Sequence, residues 1–376
     1  MSAGIYLDYN ATAKVRPEAI AAVTEALARG GNPSSVHAAG RAARAAMESA
    51  RAEIASLVGA AASKLTFTSG GTEACGIAMG SAVTAGVGRV IVGATEHDCV
   101  KTVAEDSGLP VEIWPVDARG IADLDWLTSR LADGPRALIC LMLANNETGV
   151  TQPVVEAAAI SREAGAWLHV DAVQAAGKIA VDFDAMDADT LAISAHKIGG
   201  PQGVGALLVR DGLKIASRQR GGGQERGRRG GTENGPGIAG FAAAAAAARR
   251  DLTALQGQEV WRDALAARLT AEGAVVIGEG APRLPQTLCV ATPEFASDLQ
   301  VMNLDLAGIM ISAGSACSSG KVKASAVIKA MGHGDLAPFG IRVSGGWDTA
   351  EEDWIHFGDA WLDVLARQRR RRREAA

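Results

Sequence analysis

The chain has 376 residues, of which 48% are hydrophobic and 21% charged, with a net charge of −5. Such a balance fits a globular protein of one large or two smaller domains, provides no overall field for nucleic acid, and leaves no apolar run of membrane-spanning length. The first residues, MSAGIYLDYNATAKVRPEAI, lack a basic start followed by an apolar run, so a cytoplasmic protein is expected.

In chain order, Ser34 to Leu57 is alanine-rich with a stop at Gly59 and predicts one helix. KLTFTSGGTEACG follows: a short β-branched run, a turn through Ser69, Gly70 and Gly71, and a helix opening at Thr72. Free N–H groups and the helix dipole converge at such a turn and suit a phosphate, although ordinary strand-to-helix turns look the same. Apolar runs then start at residues 89, 136, 167, 190 and 205, separated by helical or turn-bearing sequence. This alternation predicts an α/β fold with a mostly parallel sheet covered on both faces. In such a sheet ligands sit at the C-terminal strand ends. There the chain places Glu96 and His97, Asn145 to Glu147, Asp171 and Gln174, and Ser194 to Lys197.

Arg220 to Gly237 is glycine and charge almost throughout, which suits single-stranded nucleic acid or an ordered loop that presents amides to an anion. A helical pattern from Arg249 to Ala271 then leads to a smaller domain, and Arg369 to Arg373 read as a solvated tail or a docking element. The five cysteines are scattered, without a CxxC pair, so neither a disulfide framework nor a zinc site is expected. Cys140 and Cys289 lie in apolar strands. Cys317, within the small-residue loop ISAGSACSSGK from Ile311 to Lys321, alone has surroundings suited to chemistry.

Lys197 ends an apolar strand beside a glycine turn, where an amine can form a Schiff base with a carbonyl cofactor. That chemistry calls for a carboxylate to keep the pyridinium nitrogen of pyridoxal phosphate protonated, and Asp171 ends the preceding strand. Lysine, aspartate and phosphate turn together make one cofactor cradle.

With these in place, the chain resembles the pyridoxal-phosphate-dependent cysteine desulfurases, of the housekeeping and nitrogen-fixation branch, within the type I aminotransferase fold. The resemblance runs through YLDYNAT at Tyr6, GNPSSVH at Gly31, FTSGGTE at Phe67, Glu96-His97, NNETG at Asn145, HVDAVQ at His169, SAHK at Ser194, GGGQERG at Gly221, GSACSS at Gly314 and RVS at Arg342. It implies a large cofactor domain over 14–250 and a small domain of 1–13 and 251–376 that carries a mobile cysteine loop at about 311–321. Lys197 would be the Schiff-base lysine, with Asp171 at the pyridine nitrogen, His97 over the ring face and Gln174 at the ring hydroxyl. Gly71, Thr72, Ser194 and His196 would hold the phosphate, joined by Thr232 from the second subunit of a homodimer. Asn146, Arg342 and Asn32 would bind L-cysteine. Cys317 would take its sulfur as a persulfide, releasing alanine and passing sulfur to an acceptor or scaffold protein for iron–sulfur clusters or other thio-cofactors.

Some stretches depart from the family pattern: Ala74-Cys75-Gly76, Gly230-Gly231, and Gly345-Gly346-Trp347, where an arginine is missing near the expected carboxylate site. Two other readings follow from the residues. One keeps fold and cofactor but makes the enzyme an aminotransferase or β-lyase; the other makes the chain a binding protein whose arginine-rich segments hold RNA or an acidic partner.

Overall fold

The computed structural model describes residues 4–314 and 324–375; Cys317, with the rest of 315–323, lies outside the described residues. Strand β1 (Ile5–Tyr6) opens the chain, and β2 (Leu65–Thr68), β3 (Arg89–Gly93), β4 (Val111–Trp114), β5 (Ala137–Met142), β6 (Trp167–Asp171), β7 (Thr190–Ser194) and β8 (Gly205–Val209) form one sheet in the order β2-β8-β7-β6-β5-β3-β4. β8 runs antiparallel to both its neighbours, and the other pairs are parallel. All strands but β8 therefore end on one edge of the sheet. The five apolar runs anticipated from sequence are β3, β5, β6, β7 and β8. The edge strand β4 was not anticipated, because its alternation is broken by Glu112 beside an exposed Ile113.

Continuous apolar strands need cover on both faces, and the helices supply it. Helix Gly71–Thr84 packs on one face through Ala74, Ile77, Ala78 and Met79, in a cluster with Val90, Leu138 and Leu207. On the other face Ile54, Phe241, Ala244 and Ala245 join Ile139, Leu168, Leu191 and Ile193. The expected helix at Ser34 starts four residues later, at Ala38, because His37 is extended and its side chain accepts from the Gly40 N–H. The helix placed at Arg249 to Ala271 is instead three: Gly235–Arg250, Leu252–Gln256 and Gln258–Ala271. The first begins inside the glycine-rich stretch, where the Asn234 side chain accepts from the Gly237 N–H and Pro236 occupies the first turn.

A second core lies beneath a four-stranded sheet of β9 (Val275–Val276), β10 (Thr287–Ala291), β12 (Ser312–Ala313) and β13 (Gly340–Ser344), in the order β12-β13-β10-β9. Leu288, Val290, Ile341 and Val343 meet Leu265, Trp354, Phe357 and Trp361 there. The N-terminal segment belongs to this core through Leu7 and through the parallel pairing of β1 with β11 (Ile309–Met310). The C-terminal arginines continue helix Glu351–Ala375 and stay exposed, as expected of a solvated segment, though helical rather than irregular. Arg369 bonds the side chain and carbonyl of Glu272, and Arg372 pairs with Glu294. No described helix is long and apolar enough to cross a membrane.

Candidate active site

The shared edge of the large sheet opens into a cavity of about 390 Å³. At one end, β2 turns through Ser69 and Gly70 into helix Gly71–Thr84, whose first residues face the cavity. A side chain at Gly71 would place its Cβ 2.7 Å from Val173 Cγ2, so glycine keeps this wall open. The strand–turn–helix read from sequence is thus formed, with Thr72 and Ser194 lining the same cavity.

Lys197 follows β7 in a short turn, and its Nζ donates to the carbonyls of Asn10 (2.6 Å) and Ala11 (2.7 Å). Burial, and then the Arg342 cation, bring its amine down to about 8. Burial likewise lowers His196 to about 4, and its Nδ1 lies 3.2 Å from Thr12 Oγ1. Asp171 closes β6 with 6% of its surface exposed; its Oδ1 accepts from the Val173 N–H at 2.9 Å. Burial raises this carboxyl to about 6, reinforced by nearby Cys99. A cation against it would relieve that strain.

His97 caps helix Asp98–Glu105, with Nδ1 accepting from the Cys99 N–H at 3.1 Å. The Cys99 side chain also raises the imidazole above its usual range. Gln174 donates to Asn10 O (2.8 Å) and accepts from Lys178 Nζ (2.6 Å). Arg342, on β13, donates to Asp8 Oδ1 (2.5 Å) and to Asn146 O (3.1 Å), while its buried Nε has no partner among the described residues. Asn146 and Arg342 both border the cavity.

The fold therefore gathers on one cavity all the residues expected at the cofactor except Thr232, and two of the three expected at the substrate. Asn32 and Thr232 are exposed and do not border it in this chain. Cys317 lies outside the described residues, but Gly314 and Ala326, on either side of its loop, both border the cavity. Gly345, Gly346 and Trp347 turn instead to a second cavity of about 320 Å³ behind Lys197; Trp347 Nε1 donates to Lys14 O at 2.9 Å and its ring lies 5.2 Å from the Arg16 guanidinium.

Sequence reasoning missed several participants. Asn10 holds Lys197, Gln174 and Lys178 at once. Lys178 is 4% exposed, and burial drives its amine well below the usual lysine range; its spacing of four from Gln174 on a turn was the available signal. Glu96, which the sequence did place at a strand end, is buried with Oε2 unpartnered among the described residues and held well above the ordinary carboxylate range by burial. Cys99 is on the cavity wall, which corrects the expectation that Cys317 alone has surroundings suited to chemistry.

The cavity suits pyridoxal phosphate: a helix terminus for the phosphate, a buried carboxyl that gains from a cationic ring nitrogen, and an amine held partly neutral. The class-V aminotransferase family pattern matches residues 5–353. A cysteine desulfurase of Cereibacter sphaeroides is 43% identical, with 96% of this chain and 94% of the relative covered, and one of Gluconacetobacter diazotrophicus is 39% identical over 97% and 94%. Among solved structures, a NifS-like protein of Rickettsia africae superposes with a TM-score of 0.89 at 30% identity, covering 96% of this chain and 99% of that one. Fold and site define a class-V aminotransferase, an enzyme with pyridoxal 5′-phosphate as its cofactor. The chain belongs to the cysteine desulfurases within that family.

Proposed function

We propose that this enzyme converts L-cysteine to L-alanine and carries the sulfur away as a persulfide on Cys317, for delivery to an acceptor or scaffold protein that builds iron–sulfur clusters or other thio-cofactors. The observation that carries this reading is the position of Gly314 and Ala326 on the wall of the cavity that also holds Lys197 and Arg342. Cys317 is three residues beyond Gly314, and three extended residues reach about 10 Å. Its thiol is therefore tethered within reach of an amino acid bound there.

Gly71, Thr72, Ser194 and His196 would hold the cofactor phosphate, Asp171 its ring nitrogen, Gln174 its hydroxyl and His97 its ring face. Bound pyridoxal phosphate supplies the electron sink that makes the α-proton of an amino acid labile. Arg342 and Asn146 orient the substrate, the free Nε–H of the arginine adding a donor for the carboxylate. Lys197, near 8, exchanges a proton at Nζ close to neutral pH. Attack by the Cys317 thiolate forms the S–S bond as the C–S bond of the substrate breaks. The carbon so freed takes up a proton and leaves as alanine.

The separate cores support a large domain over 14–250 and a small domain of 1–13 and 251–376. Thr232, exposed and away from its own cavity, supports a homodimer in which it reaches the phosphate of the other subunit. Incubation of the purified enzyme with L-cysteine should release alanine and leave one extra sulfur on Cys317 by mass spectrometry. Cys317→Ser should keep the cofactor and lose turnover. An aminotransferase of the same fold would keep its turnover in that variant, and such a result would sink the proposal.

A further inference from the structure

Helix Gly71–Thr84 and helix Asp98–Glu105 begin side by side at the cavity, and each brings a cysteine to their contact. Cys75 is buried at 3% exposure, one turn into the first helix; Cys99, in the first turn of the second, is partly exposed and borders the cavity. Their sulfurs and a carboxylate oxygen of Asp171 all lie within 4.8 Å of one another. Neither cysteine is in a disulfide. Neither is used by the proposed reaction.

The two sulfurs are unlike. A hydrogen bond from Cys75, aided by the His97 imidazole and the Thr72 hydroxyl, draws the Cys99 thiol down to about 5. Hydrogen bonding with Cys99 and burial push Cys75 well above the usual thiol range. An accessible thiolate beside a shielded thiol is the arrangement of an attacking cysteine and a resolving one.

We propose that Cys75 and Cys99 form a redox dithiol in the wall of the cofactor cavity, closed to a disulfide by hydrogen peroxide, and that closure weakens the hold on the cofactor. In the first step the Cys99 thiolate attacks one peroxide oxygen: an S–O bond forms, the O–O bond breaks, and the hydroxide that leaves becomes water with the proton released when Cys99 ionised. In the second, the Cys75 sulfur attacks the Cys99 sulfenic acid. The S–S bond forms, the S–O bond breaks, and the hydroxyl leaves as a second water with the Cys75 proton. Two thiols are oxidised to one disulfide and one peroxide is reduced to two waters.

Closure has consequences for neighbouring residues. The sulfurs must approach from within 4.8 Å to about 2.0 Å, which draws Cys99 toward the packed helix. The Cys99 N–H is bonded to His97 Nδ1, so the imidazole at the cavity is drawn with it. The same step removes the thiolate that favours protonated His97. A divalent cation on these three ligands would instead take Asp171, the carboxylate the ring nitrogen needs.

The thiol chemistry is independent of cysteine turnover; only the effect on the cofactor rests on the roles proposed for His97 and Asp171. Cys317→Ala holoenzyme, whose loop sulfur cannot exchange, is treated with hydrogen peroxide and digested with trypsin without reduction. Cleavage after Lys64, Arg89 and Lys101 leaves Cys75 and Cys99 on separate peptides. We expect the two peptides to appear joined, lacking the two thiol hydrogens, with cofactor absorbance falling in step and both changes reversed by dithiothreitol and fresh cofactor. Cys75→Ser in the same background should accumulate Cys99 sulfinic acid and no joined peptide. Sulfinic acid at Cys99 while Cys75 is present, two free thiols in excess peroxide, or zinc retained on the pair would overturn the dithiol. A joined pair with undiminished cofactor absorbance would overturn the coupling.

Discussion

Arg51 and Glu225 form a buried two-pronged ion pair, with both guanidinium–carboxylate contacts at 2.7 Å and the two side chains 3% and 2% exposed. Glu225 also accepts from the Phe67 N–H at 2.8 Å, and the guanidinium lies 4.5 Å from the Phe67 ring. The pair pins the glycine-rich segment to β2, the strand that leads into the phosphate turn. Glu225→Ala strands the buried arginine with only Glu48, half in solvent, as an ionic partner. Breaking a buried pair in this way costs about 3–5 kcal/mol. Urea unfolding should reveal that loss, and a midpoint unchanged from the parent protein would refute it.

The amine of Lys197, lowered to about 8, is held there by burial and by Arg342. Only the neutral amine can bond to a carbonyl, so cofactor uptake by apoprotein should quicken as pH rises through about 8 and level off above it. Arg342→Gln removes a cation that opposes protonation of Lys197, and the midpoint should move to higher pH. Stopped-flow absorbance at a series of pH values tests this. A midpoint unmoved in the variant would leave burial as the sole cause.

Buried His169 is brought down to about 4 by burial, from 6.5 for the free side chain, and its Nε2 has no partner. Between these values the unfolded chain binds the proton first, so stability is intact above 6.5 and is lost as pH falls toward 4, by up to about 3 kcal/mol. Asp171, raised to about 6 from 3.8, acts in the opposite sense: the folded chain binds its proton first as pH falls below 6. Apoprotein should thus lose little stability across this window. His169→Asn should leave the Asp171 contribution exposed, seen as a urea midpoint that holds or rises between pH 6 and 4.

The arginines of the last helix lie on the surface. Arg369 and Arg372 face Glu272 and Glu294 with about half of each arginine exposed. Exposed pairs of this kind contribute roughly 0–1 kcal/mol, less in high salt. Replacing both by alanine should shift thermal unfolding by only a few degrees and leave cysteine turnover intact. A large drop would show that the tail helix holds the second core together.

The sheet and the cofactor side of the site were legible because each depends on short local patterns. Apolar runs announced β3, β5, β6, β7 and β8, and the polar residues just past their ends became the cavity wall. Lys197, Asp171 and Gly71 declared themselves by type and place. What sequence hid depends on distant partners. Nothing near Cys75 announces Cys99, since their approach is set by how two helices start on different strands. Glu225 looked like one charge among many in a glycine-rich segment because Arg51 lies 174 positions away. The ion pairs of the exposed arginine run were hidden because Glu272 and Glu294 lie 97 and 78 positions away in sequence.

Asn10 has a role larger than its place in a loop implies. Its carbonyl receives Lys197 and Gln174, its Oδ1 receives Lys178, its Nδ2 reaches Thr287 Oγ1 on β10, and its N–H reaches Ser344 Oγ on β13. The large and small sheets therefore pull on the same residue. Any shift of the small sheet, which carries Arg342, would pull through Asn10 on the carbonyls that anchor the lysine amine. The arginine on the small sheet and the lysine beyond the large one are in this way geared together, with residues 5–12 as the connecting rod.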